Sequence, residues 1–335
     1  MPHPGLQPTG TAHQQKKGDL MAGIDPGREA TESQPQRRLR SHRLDDWLRR
    51  QDWMEGAAGA VQSAVGAVYG ALGAPGRGLK NLLYGTKALG HPLHPTITDL
   101  PMGAWTAGVV ADYVGRVTHL VPPQAGDIGL AVGIVAALGA VATGYTDFYN
   151  TYGQERRYGL THAVVMTTST LLMVVSLGVR WLAGEEGSWL PIGLATVGLL
   201  LAFGGAYFGG HLTFALGTMV NHLAFVEGPK DYVEVGPAAD FGEGTMHLVD
   251  AGGMPALLAR LDGRIYGIAD VCSHAGGPLH EGKREGDVVT CPWHGSRFCL
   301  RNGRALSGPA TFDQPALDVR EQDGIVKVKL NRPLH

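Results

Sequence analysis

Of the 28 basic and 30 acidic residues in this chain, only 11 fall between positions 91 and 226. That scarcity constrains the fold more than any other feature. Uncharged or nearly uncharged runs at Leu100–Pro123, Ile128–Thr146, Tyr158–Val179 and Gly187–Val226 each supply about 20 apolar residues, enough to cross roughly 30 Å of hydrocarbon. Asp112 and Arg116 interrupt the first run; four apart on a helix, they are expected to pair with each other. Helices of a soluble bundle would each need a polar face, and Ile192–Phe203 has none. The expectation is a membrane α-helical bundle of four transmembrane helices near 98–119, 126–147, 160–182 and 189–209. Gly129/Gly133 and Gly205/Gly209 are spaced to let such helices approach closely. Trp181 and Trp189 flank one turn, and Tyr145, Tyr149, Tyr152 and Tyr158 flank another, as interfacial aromatics do.

Basic residues set the expected orientation. Twelve precede the first run, and Arg156 and Arg157 lie in the loop joining the second and third. The opposite loops hold Arg116 and Arg180, beside Glu185 and Glu186. Both termini are therefore expected on the cytoplasmic side of a bacterial inner membrane. Gly56–Gly76 is also uncharged, but as a fifth span it would carry Arg77, Lys80 and Lys87 outside. Residues 44–88 are instead expected as amphipathic helices on the membrane surface, anchored by Trp47 and Trp53. The polar, Pro- and Gly-rich residues 1–43 read as a disordered tail. With a net charge of −2, no basic surface points to nucleic acid, and three cysteines are too few for a disulfide scaffold.

After Lys230 the texture changes to short apolar runs separated by turns. They are Tyr232–Val235, Met246–Val249, Pro255–Leu261, Arg264–Ala269, Val288–Thr290, Arg297–Leu300, Leu317–Arg320 and Ile325–Leu330. Asp262-Gly263 and Asn302-Gly303 are hairpin dipeptides. Residues 231–335 are thus expected to form an all-β antiparallel sandwich after the helical region at 89–226. Two of its loops carry chemistry. One reads Cys272-Ser-His274-Ala-Gly-Gly-Pro-Leu-His, the other Cys291-Pro-Trp-His294-Gly-Ser. Each presents one thiol and one imidazole, ligands suited to iron or zinc. Closed zinc sites usually pair Cys with Cys and His with His along the chain. Mixed pairs suit a two-iron cluster with two Cys on one iron and two His on the other.

With these motifs, residues 231–335 resemble a Rieske-type [2Fe–2S] domain of the ferredoxin kind. The resemblance implies that Cys272 and Cys291 bind the inner iron and that His274 and His294 bind the outer one. It also implies that Gly308-Pro309 belongs to a loop covering the cluster. Leu89-Gly-His-Pro-Leu-His-Pro95, Asp99-Leu-Pro-Met-Gly-Ala-Trp105 and Thr143-Gly-Tyr-Thr-Asp147 resemble an uncharacterised bacterial four-helix membrane family, some of whose members are fused to Rieske domains. Respiratory relatives add a disulfide over the cluster and an aromatic hydroxyl bonded to a ligand sulfur. Gly277, Trp293 and Phe298 stand at the corresponding positions, so both are absent. Ser296 remains as a donor toward a bridging sulfide. Fewer hydrogen bonds to sulfur imply a lower potential. Cys299 is expected to be an inert core thiol and His280 a loop residue.

The function expected is one-electron transfer by a membrane-anchored iron–sulfur protein on the cytoplasmic face. Its partners would be a cytoplasmic reductase, an acceptor oxygenase, or both, with membrane lipid around the helices. The alternatives are a membrane oxidoreductase that passes electrons between the cluster and a haem or quinone in the helical domain, and a redox sensor. His91, His94, Asp147, His162 and His211 are expected at one face of the bundle and are the residues such a second cofactor would use.

Overall fold

The computed structural model describes residues 40–86, 89–184 and 188–331. Most of the tail expected at 1–43, and Lys87, Glu185 and Glu186, lie outside the described residues. The chain divides into two compact units, Met1–Trp47 and Leu48–His335. Helix α1 (Arg40–Arg49) straddles that boundary.

Helices α2 (Trp53–Ala71) and α3 (Gly73–Tyr84) form a hairpin that turns at Gly73, whose φ of +59° favours glycine. After a short helix α4 (Leu93–Ile97) come four long ones, α5 (Asp99–Thr118), α6 (Pro123–Phe148), α7 (Gly153–Ala183) and α8 (Trp189–Phe214). Each of the four packs on two others in a ring, and Trp105, Val109, Leu130, Met173, Ala195 and Leu199 fill its centre. Large apolar residues also point outward: Val135 is 70% exposed and Leu182 91%. Helices α6, α7 and α8 are long and apolar enough to cross a membrane, and at most 39% of their most apolar windows is buried. The remaining apolar surface is what lipid would cover. Helix α5 belongs to the bundle, but with Asp99, Asp112 and Arg116 it falls short of that composition.

Asp112 does not pair with Arg116. Its two oxygens accept 2.8 and 2.6 Å bonds from Arg180 of α7, which also reaches Asp127 of α6 at 3.1 Å. Arg180 is fully buried, and Arg116 instead lies 5.3 Å from the Trp189 ring. An inward-facing carboxylate in an apolar bundle takes a partner that comes inward with it, whereas a neighbour one turn along can extend outward. Of the spaced glycines, Gly129 makes the closest helix approach: a Cβ there would lie 2.6 Å from Gly108 Cα. Gly133 makes room for the Trp105 ring, Gly205 for Met166 and Gly209 for His162. Ser169 and Ser176 donate across helices to the carbonyls of Gly198 and Pro191, each at 2.7 Å.

The α2–α3 hairpin is tied to the end of the bundle where α6 stops and α7 begins. Glu55 accepts from Arg156 at 3.2 Å and Arg157 at 2.9 Å. Gln62 donates to the carbonyls of Phe148 and Thr151. The Lys80 ammonium sits 4.1 Å from the Tyr149 ring, with Tyr84 and Tyr69 further out.

The β region contains a six-stranded antiparallel sheet in the order β1-β10-β9-β4-β3-β2 and a four-stranded sheet β5-β6-β7-β8. The strands are β1 (Val233–Pro237), β2 (Met246–Ala251), β3 (Met254–Leu261), β4 (Arg264–Ala269), β5 (Lys283–Glu285), β6 (Val288–Thr290), β7 (Arg297–Cys299), β8 (Ala305–Ser307), β9 (Ala316–Gln322) and β10 (Ile325–Leu330). Sequence patterning locates all but β5, which is wholly charged, and β8, a short Ala-Leu-Ser strand. Asp262 and Gly263 both have positive φ, as a tight hairpin requires. Leu257, Ile268, Leu279, Val289, Phe298 and Leu300 form a core that also encloses Cys272 and Cys291.

Candidate metal centre

Cys272 opens the loop that follows β4, and Cys291 the one that joins β6 to β7. Both loops close by the same hydrogen bonds. Cys272 N–H donates to Gly277 O at 2.8 Å, and Cys291 N–H to Ser296 O at 2.8 Å. The N–H of Gly276 returns to Cys272 O, and that of Gly295 to Cys291 O. Gly276 and Gly295 have φ of +80° and +73°, which explains a glycine at the same step of both turns. The turns aim backbone N–H groups at the sulfurs: His274 and Ala275 toward Cys272, Trp293 and His294 toward Cys291. Asp270 fixes the base of the first loop, accepting 2.8 and 2.7 Å bonds from His280 N and Nδ1. His280 thereby supports the loop.

The two cysteines are 1% and 3% exposed. The neighbouring Cys291 thiol, with burial, holds the Cys272 thiol far above its usual range, while the Cys272 thiol brings Cys291 down to about 7. The imidazoles of His274 and His294 lie one step further out, 4.9 Å apart between ring centroids and nearly perpendicular. Burial and then the neighbouring His294 hold His274 down to about 3, and burial lowers His294. Both rings are thus kept neutral, the form in which imidazole binds a metal.

The residues fit a two-iron cluster. Two imidazoles on one tetrahedral ion, with metal–nitrogen bonds of about 2.1 Å, place their ring centres about 5 Å apart, and the rings here are at 4.9 Å. Buried His274 Nδ1 has no hydrogen-bond partner among the described residues, leaving its lone pair available. Among those residues no three His, Cys, Asp or Glu side chains converge. The donors form a thiol pair and an imidazole pair, which is the division a Rieske cluster needs.

Residues 307–312 pack against both cysteine loops. Ser296 Oγ accepts from Ala310 N at 3.0 Å, so its own proton is free to be donated elsewhere. Ser273 donates to Phe312 O. A Cβ on Gly277 would lie 2.9 Å from Cys291 Sγ and 3.0 Å from the Trp293 ring, so positions 277 and 293 meet where a loop disulfide would sit. Phe298 is fully buried, and Cys299 is half-buried on β7. A cleft of about 450 Å³ beside the outer imidazoles is lined by Tyr152, Glu155, Ala275, Trp293 and His294. Sequence reasoning did not pick out Tyr152 for this place; its ring is 5.0 Å from that of His294.

The bundle histidines are at the end nearest this centre. His91 meets Phe312 edge-on at 5.7 Å. His94 and His162 are neighbours at 6.2 Å, with Nδ1 bonded to Thr143 and to Gly205 O respectively. His211 stacks on Tyr158 at 4.1 Å. Asp147 joins none of these contacts, and its buried Oδ1 has no partner among the described residues.

Residues 231–318 match the Rieske [2Fe-2S] domain family, and residues 90–222 match the family described as predicted membrane protein (DUF2231). Ferredoxin CarAc of Metapseudomonas resinovorans is 33% identical over 98 residues, which is 29% of this chain and 92% of that protein. The 3-phenylpropionate/cinnamic acid dioxygenase ferredoxin subunit of Escherichia coli (strain K12) is 37% identical over 95 residues, 28% of this chain and 89% of that subunit. The solved ferredoxin of carbazole 1,9a-dioxygenase from Nocardioides aromaticivorans IC177 aligns at 25% identity with a TM-score of 0.29, covering 30% of this chain and 98% of its own. This chain therefore belongs to the Rieske [2Fe-2S] family through residues 231–318, joined to a membrane domain of the predicted family at residues 90–222.

Proposed function

We propose that Cys272 and Cys291 hold one iron of the [2Fe–2S] cluster and His274 and His294 the other, in a one-electron carrier anchored in the cytoplasmic membrane. The pair of neutral imidazoles at 4.9 Å, one with an unpartnered Nδ1, is the observation that carries the assignment. The cluster supplies reversible uptake of a single electron. The chain's own groups make that uptake favourable: the loop N–H groups and the Ser296 hydroxyl offset negative charge on sulfur, and the cover loop keeps water off the buried side. Without a loop disulfide and with Phe298 unable to donate, the potential falls in the lower part of the range of about −150 to +300 mV. Two relatives are ferredoxins, one a dioxygenase subunit, which supports a reductase as donor and an oxygenase as acceptor. The basic residues near the hairpin and at Arg156–Arg157 support cytoplasmic termini, with α5 completing a four-span bundle within lipid.

Electron paramagnetic resonance of the reduced full-length protein, with iron and acid-labile sulfide quantified, tests the assignment. The Rieske signal is expected in the wild type. Cys291→Ser should abolish it and His274→Cys should change it radically, both with membrane insertion intact. Stoichiometric zinc without sulfide would overturn it. Reporter fusions at the C-terminus and before Leu44 should both report cytoplasm; a periplasmic C-terminal signal would refute the orientation.

A further inference from the structure

The edge that holds the outer imidazoles is not left free. Four separate stretches of the helical region meet it. From the end of α3, Asn81 Oδ1 accepts from Ser307 Oγ and from Gly308 N, each at 3.1 Å. Thr86 Oγ1 donates to Ala310 O at 3.1 Å. The His91 ring meets Phe312, and the Tyr152 ring, in the connection between α6 and α7, meets His294. From the connection between α8 and β1, His222 N donates to Ser273 O at 3.0 Å. The seam is closely packed: a Cβ on Gly308 would come within 2.6 Å of Tyr84 Cδ2 and 2.9 Å of Thr86 Oγ1. Gly308 to Thr311 are all buried beneath it. Directed hydrogen bonds to backbone atoms of the cover loop, with a glycine where any side chain would clash, mark a fitted interface.

We propose that this end of the helical region is the resident partner of the cluster edge, and that a soluble redox protein exchanges electrons at the outer imidazoles only when the contact opens. The inference rests on the cluster assignment above and adds to it. In a free ferredoxin that edge would be open to any partner. Here the membrane domain occupies it, with Tyr152 against His294 and Asn81 and Thr86 clamping the cover loop. Only a fraction of molecules is then competent at any moment, and the observed bimolecular rate falls to that fraction of the open-state rate.

The test uses the full chain in detergent micelles, with the cluster reduced beforehand and its reoxidation followed optically. Cytochrome c serves as a soluble protein oxidant: one electron leaves the reduced cluster and reduces the ferric haem. Ferricyanide serves as a small oxidant that needs little of the edge. Asn81→Ala combined with Thr86→Val removes the clamp without touching a proposed ligand. The cytochrome c rate should then rise roughly tenfold while the ferricyanide rate stays within about twofold. Equal cytochrome c rates in variant and wild type overturn the proposal. As a second arm, Asn81→Cys with Ser307→Cys should form a disulfide on mild oxidation. The linked protein should react with cytochrome c more slowly than wild type, and recover when a phosphine cleaves the link. Failure to link, or a linked protein reacting at the wild-type rate, also overturns it. Failure of the cluster assignment would show separately, as a missing Rieske spectrum in the wild type.

Discussion

Arg180→Met should destabilise the helical bundle by about 3–5 kcal/mol, the usual cost of removing one member of a buried ion pair. The guanidinium is fully buried and makes three bonds to carboxylates, two with Asp112 and one with Asp127, whose side chains are 1% and 6% exposed. Methionine keeps much of the volume but leaves two like charges facing each other away from water. Asp112→Asn should cost less, about 1–2 kcal/mol, because an amide still accepts from Arg180 and Asp127 remains as counter-ion. The decisive variant replaces the whole group: Arg180→Met, Asp112→Leu and Asp127→Asn. Asparagine at 127 preserves an acceptor for the Trp181 indole N–H, now 3.3 Å from Asp127 Oδ2. The triple variant should recover most of the loss, since exchanging a buried ionic group for packed apolar side chains is often neutral or stabilising. Denaturant titration of the purified protein in mixed micelles, followed by helical circular dichroism, measures all three. A single-variant cost under about 1 kcal/mol, or a triple variant as unstable as the single one, would refute the reasoning.

Other predictions concern the centre itself. Ser296→Ala should lower the midpoint potential, by about 40 mV for each kcal/mol that the lost hydroxyl bond favoured the reduced state. Phe298→Tyr should raise it if the new hydroxyl reaches a ligand sulfur; redox titrations followed by resonance read both, and an unchanged midpoint for Ser296→Ala would remove that residue's tuning role. The metal-free protein should lose stability in its β region as pH falls. His274 titrates near 3 in the fold but near 6.5 when unfolded, so the unfolded chain takes up the proton first. The loss begins below about 6.5 and reaches about 2 kcal/mol at pH 5. Chelator-treated protein unfolded in urea at pH 7 and pH 5 checks the sign, and equal stability would contradict it.

What was legible in the sequence was what short segments determine by themselves. Apolar runs longer than any soluble helix requires located α6, α7 and α8, and the paired Cys and His motifs located the two loops. Asp262-Gly263 marked its hairpin. Asp323-Gly324 carries the same signal between β9 and β10, with both φ values positive. The partner of Asp112 was not legible. A residue four positions away satisfies the helix rule, and only the packed bundle shows Arg180 arriving from 68 positions further along. The grip of Asn81 on Gly308, 227 positions distant, has no local signature either. Tyr152 reads as an interfacial aromatic because its second contact, with His294, exists only once two folds are placed together. Hydrophobic pattern reports which face is covered and says little about which polar group covers it.

The pairing of β1 with β10 brings the two ends of the sandwich side by side. Val233 lies opposite Val328, and Leu330 N–H donates to Pro229 O at 2.9 Å. A module whose entry and exit share one seam can be grafted onto another chain without threading that chain through its interior. Its ten strands and both cysteine loops close within the seam, so joining it to a membrane segment needs only a short connector after α8. Fusion then becomes a matter of surface fit: the connector lends Leu223 and Val226 to one side of the core, and beyond that the host supplies no ligand, only a complementary resting place.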